Sequence, residues 1–335
     1  MNFWSGRKVF VTGTAGLLGA WLAEALLERG AQVVSLIRDW VPDSRAVTAG
    51  VLDRCIVVRG DLEDLAVVTR ALNEYEVDSV FHLGAQAIVG TAVRSPLSTF
   101  ESNIRGTWTL LEAVRQCPRL IERIVVASSD KAYGDQLSLP YTEDMPVAGR
   151  FPYDVSKSCG DLIAMSYHHT WRSPLAITRC GNLFGGGDLN FNRLIPGTIQ
   201  SVLRDERPVI RSDGTFIRDY VFVRDAVEAY LLLGERLPGD GINGEAFNFG
   251  PEQPMSVLEV VTRTLAVMGR TDLQPIIRNE ATHEIRAQFL NCAKARKHLG
   301  WSPRYAFDDG LRETVDWYRG YLGRLTQDAT VAGNS

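Results

Sequence analysis

Several common signals are missing from this sequence. Its 335 residues include five cysteines, at positions 55, 117, 159, 180 and 292, which are too scattered for a zinc site or a disulfide framework. Basic charge is not in excess, because 36 Lys and Arg stand against 40 Asp and Glu and give a net charge of -4, unlike a nucleic-acid binder. Internal repeats and low-complexity segments are absent. We expect a cytoplasmic enzyme with free thiols and no metal.

The sequence also lacks an obvious membrane span or secretion signal. Its most apolar stretch near the N-terminus, GLLGAWLAEALLERG, is interrupted by Glu24 and by Glu28 and Arg29, which is typical of a core helix. The first residues, MNFWSGRK, lead directly into the strand-like KVFVT without an apolar segment and a cleavage site. We therefore expect no membrane partner.

What the sequence does contain is an alternation of β-rich and helical patterns in its first half. The β-rich runs are KVFVT, QVVSLI, CIVV, SVFHL and RIVVASS, with helical patterns over 17–29, 63–72 and 98–116. This alternation predicts right-handed βαβ units and a parallel sheet covered on both faces, the doubly wound α/β class of Rossmann type. His82, in the apolar run SVFHL, is expected to be a hydrogen-bonded core histidine.

The pattern becomes less regular from about residue 185. Gly-rich and Pro-containing segments such as FGGGD and RLPGDGINGE separate isolated elements there. We expect residues 1–184 to form mainly an NAD(P)-binding Rossmann domain and 185–325 mainly a smaller α/β substrate-binding lobe, with the chain crossing back between them. Residues 326–335 have little to bury, which predicts a flexible tail.

Three glycines stand at the turn from the first strand to the first helix. Gly13, Gly16 and Gly19 have a G-x-x-G-x-x-G spacing. Without a Cβ, the backbone amides of such a turn can approach a pyrophosphate, which the helix N-terminus also attracts electrostatically. Because the turn follows the first strand of a βαβ series, the spacing predicts a dinucleotide site.

The end of the second strand, QVVSLIRDW, bears on the choice of dinucleotide. An acidic residue there would bind the ribose 2′-hydroxyl of NAD, and the aligned position is Ile37. Asp39 could serve NAD two residues later, while Arg38 could pair with the 2′-phosphate of NADP. Asp61 and Leu62 follow the third strand and border the expected adenine site. We expect NAD, and NADP stays open.

Two further patterns carry acid–base chemistry. Tyr153 and Lys157 have a Y-x-x-x-K spacing, which places both side chains on one helix face. An ammonium near a phenol lowers the pKa of the tyrosine, as a proton acceptor near neutral pH requires. The fifth strand ends in SSDKAYG at 128–134, where Asp130 and Lys131 stand side by side. A salt-bridged surface turn is the alternative for that pair.

Together these residues resemble the extended short-chain dehydrogenases/reductases of nucleotide sugars, from residue 3 to about residue 318. Within that superfamily the chain most resembles the CDP-glucose 4,6-dehydratases. The likeness rests on FWSGRKVFVTG, FHLGAQAIVGTAVRSPLSTFESNIRGTWTLLEAVR, SSDKAYG, RCGNLFGGGDLNFNRLIPGTI, FNFGP and HEIRAQFLNCAKARKHLGWSPR. It implies a lyase of deoxysugar biosynthesis that oxidises carbon 4, eliminates water across carbons 5 and 6, and returns the hydride to carbon 6. The product is a 4-keto-6-deoxy sugar.

The resemblance also implies catalytic roles. Ser129 and Tyr153 bracket the 4-hydroxyl, and Tyr153 takes its proton. Lys157 holds the nicotinamide ribose and tunes Tyr153. Asp130 and Lys131 carry out the elimination: neutral Lys131 removes the carbon 5 proton, and protonated Asp130 assists departure of the carbon 6 hydroxyl.

The remaining expected contacts form two sets. The cofactor-binding residues are Gly13, Gly16, Leu17, Leu18, Gly19, Arg38, Asp39, Asp61, Leu62, Leu83, Gly84, Ala85, Tyr153 and Lys157. The substrate-binding residues are Gln86, Asn103, Asn182, Arg193, Arg218 and Arg286. Within the second set, the arginines are expected to meet the diphosphate, and Asn103 is expected to prop the site.

Two other functions stay open. A nucleotide-sugar 4-epimerase uses the same Ser-Tyr-Lys set but has no need of Asp130 and Lys131. A non-catalytic redox sensor would keep the glycine turn but could discard Tyr153 and Lys157, and this chain retains both. The segment RDYVFV lacks the tryptophan expected in a CDP-glucose enzyme. The nucleotide base and the sugar therefore stay open as well.

The resemblance bears on oligomeric state too. Helices 98–116 and 153–171 carry apolar residues that we expect to be exposed, namely Trp108, Leu111, Met165 and Trp171. Such helices pair in a four-helix interface in the family, which predicts a homodimer.

Overall fold

The computed structural model describes residues 2–280 and 284–332, with side chains up to residue 324. The strands, in chain order, are β1 (Lys8–Thr12), β2 (Gln32–Ile37), β3 (Ile56–Arg59), β4 (Ser79–His82), β5 (Arg123–Ala127), β6 (Leu175–Cys180), β7 (Asn182–Phe184), β8 (Val209–Ile210), β9 (Ile217–Arg218), β10 (Tyr220–Phe222), β11 (Ala246–Phe249), β12 (Met255–Ser256), β13 (Ile276–Ile277) and β14 (Ala287–Gln288). The helices are α1 (Leu17–Glu28), α2 (Arg45–Thr48), α3 (Leu65–Glu74), α4 (Val89–Arg94), α5 (Pro96–Phe100), α6 (Gly106–Gln116), α7 (Pro152–Trp171), α8 (Leu194–Leu203), α9 (Val223–Arg236), α10 (Val257–Val267), α11 (Ala293–Leu299) and α12 (Phe307–Ala332). Short helical turns of other types cover Leu52–Arg54, Glu101–Arg105 and Asp130–Tyr133.

Seven parallel strands form the central sheet, in the order β11-β6-β5-β4-β1-β2-β3. Val9 and Val11 of β1 belong to the apolar cluster that includes residues of α1 and α9. Phe10, between them, belongs to the cluster that includes residues of α3 and α6. Successive side chains of a strand point to opposite faces, so both faces of this sheet are covered. The predicted doubly wound α/β fold of Rossmann type is confirmed.

The helices that flank the sheet begin and end close to the expected positions. The side chain of Asp64 caps α3 by accepting hydrogen bonds from the amides of Ala66 and Val67. The helical pattern over 98–116 is not one regular helix, because a π-helical turn over Glu101–Arg105 separates α5 from α6. Such a turn widens the helix locally and often marks a functional position. Asn103 lies in this turn.

The chain after β6 builds a second lobe from short pieces. β12, β9 and β14 form a three-stranded sheet, and β10-β7 and β13-β8 form two-stranded sheets. Helices α8, α10 and α12 pack against one another beside these sheets. β11 returns to the central sheet and pairs with β6. The division into residues 1–184 and 185–325 stays a prediction.

The chain end and the cysteines bear on three further expectations. Residues 326–332 continue α12, while 333–335 lie outside the described residues, so the flexibility of the tail stays a prediction. All five cysteines are free thiols, as predicted; the cytoplasmic location stays a prediction. Across the described ranges, no helix has both the length and the apolar character needed to span a bilayer.

The apolar residues expected on the outside of α6 and α7 behave differently from one another. Trp108 and Trp171 are 45% and 51% exposed, as expected. Met165 is partly buried. The expectation for Leu111 was wrong, because this residue is 1% exposed and lies in the apolar cluster beneath α3 and α6. Helix α6 is covered by α3 on one side and α7 on the other, which leaves only a narrow exposed stripe.

Candidate active site

The glycine turn lies where β1 and β4 end. Gly13 has a φ of 78°, and a Cβ there would lie 2.8 Å from the amide nitrogen of Gly84. A Cβ on Gly19 would lie 2.1 Å from the carbonyl oxygen of Gly13. Gly16 caps α1 without a side-chain hydrogen bond, so the first amides of α1 are left for another acceptor. The backbone thus forms a side-chain-free cradle beside a helix N-terminus, which fits a dinucleotide pyrophosphate.

The expected ribose and adenine contacts lie at the ends of β2 and β3. The Nε of Arg38 donates to Oδ2 of Asp39 at 2.7 Å and lies 3.9 Å from Oδ1 of Asp61. The hydrogen bond to Asp39 raises the pKa of Arg38. Leu62 packs against Gly84 and Gly106. Asp39, the possible determinant of NAD binding, and Arg38, the possible determinant of NADP binding, are therefore bonded to each other.

Tyr153 lies in the first turn of α7, directly after Pro152. Burial raises the pKa of Tyr153 to about 12, against the opposing positive charge of Arg193 and a hydrogen bond with Ser129. The pKa of Tyr153 is thus raised and not lowered, because burial of the phenolate outweighs the positive charge of Arg193, and the tuning role of Lys157 stays a prediction. Ser129 and Tyr153 are brought together, as predicted.

Lys157 lies one turn further along α7. Its Nζ donates to the carbonyl oxygen of Ala127 at the end of β5, at 3.0 Å. Burial lowers the pKa of Lys157 to about 8, while the negative charge of Asp161 opposes the shift. Asp161 is itself buried, accepting from Ser128 Oγ at 2.8 Å and from Arg179 Nε at 3.2 Å. Sequence reasoning missed Asp161 and Arg179.

A small cavity lies behind Lys157. It has a volume of about 10 Å³, close to that of one water, and its lining includes Asn103, Ser156 and Asp161. Asn103 accepts from the amide of Gln86 at 2.7 Å and donates to Gln86 O and Ser156 Oγ. These bonds occupy its side-chain amide, so Asn103 holds the loop after β4 against α7. That is the propping position expected for it.

His82 is a core residue, as predicted. Its Nδ1 and Nε2 each lie 3.0 Å from a threonine hydroxyl, of Thr12 and Thr107 respectively. Burial is the main cause that lowers the pKa of His82 to about 3. A neutral ring bonded on both sides joins β1, β4 and α6 and leaves no nitrogen for catalysis.

Asp130, directly after Ser129, is buried and Lys131 is partly buried, so the pair is not an exposed surface turn. The side chains of Asp130 and Lys131 are 1% and 16% exposed, and Asp130 Oδ1 lies 3.7 Å from Lys131 Nζ. Ser129 Oγ donates to the same Oδ1 at 2.9 Å. Burial lowers the pKa of Lys131, and the positive charge of Arg218 acts in the same direction. Oδ2 of Asp130 is buried without a hydrogen-bond partner among the described residues.

Four of the expected substrate residues lie on different elements and differ in burial. Arg193 pairs with Asp188 at 2.8 Å and acts electrostatically on Tyr153. Arg218 is buried, and its guanidinium donates to the carbonyl oxygens of Ile217, Ile285 and Arg286. Arg286 itself is exposed. Asn182 begins β7, where its backbone N–H donates to the carbonyl oxygen of Asp219 at 2.9 Å. Their contacts with substrate stay predictions.

The fold and the site define a short-chain dehydrogenase/reductase of the extended type, with a glycine turn on β1 and a Ser-Tyr-Lys set between β5 and α7. The chain belongs to the GDP-mannose 4,6 dehydratase family, which matches residues 10–314. It is 31% identical to the CDP-glucose 4,6-dehydratase of Salmonella typhimurium, over 96% of this chain and 93% of that one. The predicted resemblance is confirmed.

Two similar solved structures are a dehydratase and an epimerase. A dTDP-glucose 4,6-dehydratase from Streptomyces venezuelae, with NAD bound, has a TM-score of 0.85 and 28% identity over 95% of this chain and 98% of that one. A UDP-glucose 4-epimerase from Thermotoga maritima, with UDP-glucose, has a TM-score of 0.85 and 25% identity over 94% and 100%. The backbone is thus equally similar to a dehydratase and to an epimerase.

Lys157 provides a prediction about stability and pH. Its pKa is about 8 in the folded chain against 10.5 ordinarily, so between these values the unfolded chain binds more protons and the free energy of unfolding rises with pH. The cost of burying the ammonium is complete below pH 8 and is relieved towards pH 10.5. Replacing Lys157 with Met should remove this gain, as measured by urea unfolding at both ends of the range.

Lys131 makes the same contribution to the pH dependence of the free energy of unfolding in wild type and in Lys157→Met. Its contribution therefore cancels when the two proteins are compared. Lys297→Met, which changes an exposed lysine of α11, is the matched control and should keep the wild-type dependence. An equal pH dependence of the free energy of unfolding in wild type and Lys157→Met would contradict the lowered pKa of Lys157.

Proposed function

We propose that this chain is a nucleotide-sugar 4,6-dehydratase with a CDP-glucose-like substrate. The observation that carries the proposal is the pair of Asp130 and Lys131 directly after Ser129, 3.7 Å apart, with Asp130 close enough to Tyr153 to act on it electrostatically. An acid and a base at this point serve an elimination, which a 4-epimerization does not require. The Salmonella typhimurium relative carries the same activity in its name.

The proposed cofactor is NAD, which when bound would supply the hydride transfer that the reaction needs at carbons 4 and 6 of the sugar. The glycine cradle at Gly13, Gly16 and Gly19 fits its pyrophosphate. Lys157 of α7, whose Nζ donates to the carbonyl oxygen of Ala127 at the end of β5, is the residue proposed to hold the nicotinamide ribose. Asp39 is the acidic residue nearest to the end of β2. The Streptomyces venezuelae dehydratase is a solved example with NAD bound.

The first half of the proposed reaction uses Ser129 and Tyr153. Ser129 orients the 4-hydroxyl of the sugar, and Tyr153 takes its proton as carbon 4 is oxidised. Because burial raises the pKa of Tyr153 to about 12, the phenolate needs positive charge close to it. Arg193 and the protonated form of Lys157 supply that charge.

The second half uses Asp130 and Lys131. A ketone at carbon 4 acidifies the carbon 5 proton and makes the carbon 6 hydroxyl a β-leaving group. The lowered pKa of Lys131 favours the neutral amine, which removes the carbon 5 proton. Asp130 gives a proton to the departing carbon 6 oxygen, and water leaves. Asn182, Arg193, Arg218 and Arg286 are the proposed contacts of the nucleotide diphosphate.

A nucleotide-sugar 4-epimerase is the second candidate. It is favoured by the TM-score of 0.85 with the Thermotoga maritima epimerase and by the shared Ser-Tyr-Lys set. Mass spectrometry after incubation with a panel of nucleotide sugars separates the two. Loss of one water supports the dehydratase, whereas unchanged mass with altered retention supports the epimerase and overturns the proposal.

The sharpest test of the mechanism is Lys131→Met. It removes the base and leaves Ser129, Tyr153 and Lys157 in place, so water loss should slow by about a hundredfold or more. Oxidation at carbon 4 should persist, and absorbance of reduced nicotinamide should accumulate on the enzyme. Exchange of the carbon 5 proton with solvent deuterium should slow in parallel. Lys297→Met is the control, and near wild-type dehydration by Lys131→Met would refute the role.

The paired state of Arg38 leads to a prediction about the cofactor. Because its guanidinium already binds Asp39 at 2.7 Å, it is neutralised as a partner for a 2′-phosphate, and NAD should bind more tightly than NADP. Asp39→Asn should release Arg38 and strengthen NADP binding about tenfold, or about 1.4 kcal/mol. Calorimetric titration with both dinucleotides measures this. Tenfold tighter NADP binding by wild type would reverse the assignment.

We also propose a homodimer formed through α5, α6 and α7. These helices expose Leu97 and Leu162, at 70% and 59%, together with Trp108 and Trp171. Large exposed apolar side chains on neighbouring helices are typical of a protein interface. Light scattering at micromolar concentration should give twice the mass of 37.1 kDa.

The double variant Trp108→Glu with Leu162→Glu should give a monomer, because it replaces an exposed apolar side chain on each of α6 and α7 with a charge. Leu258→Glu, which changes an exposed leucine of α10, is the control and should stay dimeric. A wild-type protein that is monomeric would end this proposal.

A further inference from the structure

One side chain of the second lobe reaches the proposed base. Lys131 Nζ donates to Oε1 of Gln288 at 2.5 Å. Gln288 lies on β14, 157 residues further along the chain, and is fully buried. An ammonium or amine N–H donates here, so the carbonyl oxygen of the amide is the atom that faces Lys131. The contact joins the turn after β5 to the small sheet of the second lobe.

The small sheet fixes the position of this amide. In the parallel pairing of β14 with β9, Gln288 lies beside Arg218, so the two side chains project from the same face. Arg218 is anchored by carbonyl oxygens of Ile217 and Ile285. Arg218 also acts electrostatically on Lys131. Neighbouring strands therefore present a neutral amide and a fixed cation to Lys131.

Two side-chain oxygens lie near the amine of Lys131. Gln288 Oε1 accepts a hydrogen bond from it, while Asp130 Oδ1 lies 3.7 Å away, within ion-pair range but beyond hydrogen-bond distance. A neutral amine has two N–H bonds and one lone pair in a tetrahedral arrangement. With one N–H bond directed at Gln288 and the other turned towards Asp130, the lone pair points to the remaining side.

We propose that Gln288 is a positioning residue for the elimination: together with Asp130 it holds the Lys131 amine so that the lone pair faces carbon 5 of the sugar. The inference rests on the proposed function, since it assigns Gln288 to the base of that reaction. Gln288 acts through Lys131 and is not itself a catalytic residue. No signal in the sequence predicted it.

The neutrality of the amide is part of the argument. Lys131 is already faced by the carboxylates of Asp130, Asp154 and Glu284, which raise its pKa, and by Arg218, which lowers it. Tyr141 lies beside the Gln288 amide. A further carboxylate at position 288 would stabilise the ammonium. A glutamine gives the same hydrogen bond without that charge.

Two variants separate charge from orientation. Gln288→Glu keeps the shape and adds charge, so dehydration at neutral pH should fall about tenfold for each unit by which the pKa of Lys131 rises, and should recover at higher pH. Gln288→Met keeps the length but removes the acceptor, so dehydration should fall without a shift of the pH profile. In both variants reduced nicotinamide should still form, because Ser129, Tyr153 and Lys157 are unchanged.

A measurement without substrate or cofactor tests the same contact. The chain has five lysines, at positions 8, 131, 157, 294 and 297, so carbon NMR of lysine-labelled protein gives few signals, and Lys131→Met assigns that of Lys131. In Gln288→Glu its titration midpoint should rise by about one unit or more, as expected for a charge pair at hydrogen-bond distance. The Lys157 signal is the internal control and should not move.

The outcomes are distinguishable. If Gln288→Glu dehydrates with the wild-type pH profile and Lys131 titrates as in wild type, the positioning role is overturned. If Gln288→Glu does not fold, wild-type dehydration by Gln288→Met overturns it, and a slowed rate with an unshifted profile supports it. If wild type dehydrates none of the nucleotide sugars, the proposed function fails, and the titration of Lys131 still decides the contact with Gln288.

Discussion

Burial of charge at the carboxyl end of β5 is the constraint on which the candidate site depends. Lys131, Lys157 and Tyr153 are all enclosed there, and burial is the largest cause of the shifted pKa of each. Desolvation favours the neutral form of every group, so at neutral pH it increases the fraction of free lysine amine and decreases the fraction of tyrosine phenolate. Each shift therefore has to be corrected by a neighbour of suitable charge, and those neighbours define the site.

The correcting neighbours come from different parts of the chain. Asp161, fixed by Ser128 and Arg179, favours the ammonium of Lys157. Arg193, from the start of α8, opposes the raised pKa of Tyr153. The carboxylates of Asp130, Asp154 and Glu284 oppose the lowered pKa of Lys131, whereas Arg218, from the small sheet of the second lobe, adds to the effect of burial. The pKa of both lysines stays below its ordinary value, so their carboxylate neighbours limit the shift caused by burial without reversing it.

Because these neighbours come from distant parts of the chain, only some residues of the candidate site could be predicted from the sequence. The glycine turn and the Tyr153–Lys157 spacing lie in single elements of regular period, so local pattern was enough to identify them. Gln288 lies in a two-residue strand, too short for any periodicity, and meets Lys131 only through tertiary packing. The expected pKa of Tyr153 and the exposure of Leu111 were wrong for a related reason: both depend on burial by neighbours from distant parts of the chain.

The same reasoning locates the difference between dehydratase and epimerase. The backbone is as similar to a UDP-glucose 4-epimerase as to a dTDP-glucose 4,6-dehydratase, at a TM-score of 0.85 with each, so the sheet and the glycine turn cannot distinguish the reactions. The distinction must lie in side chains that act after carbon 4 is oxidised. In this chain the side chains proposed for that step, Asp130 and Lys131, lie in one short turn, Asp130–Tyr133. The environment of Lys131 depends on the second lobe, because Arg218 lowers its pKa from there and Gln288 accepts its hydrogen bond. Choice of reaction is thus a property of how the two parts of the chain meet, more than of the fold of either part.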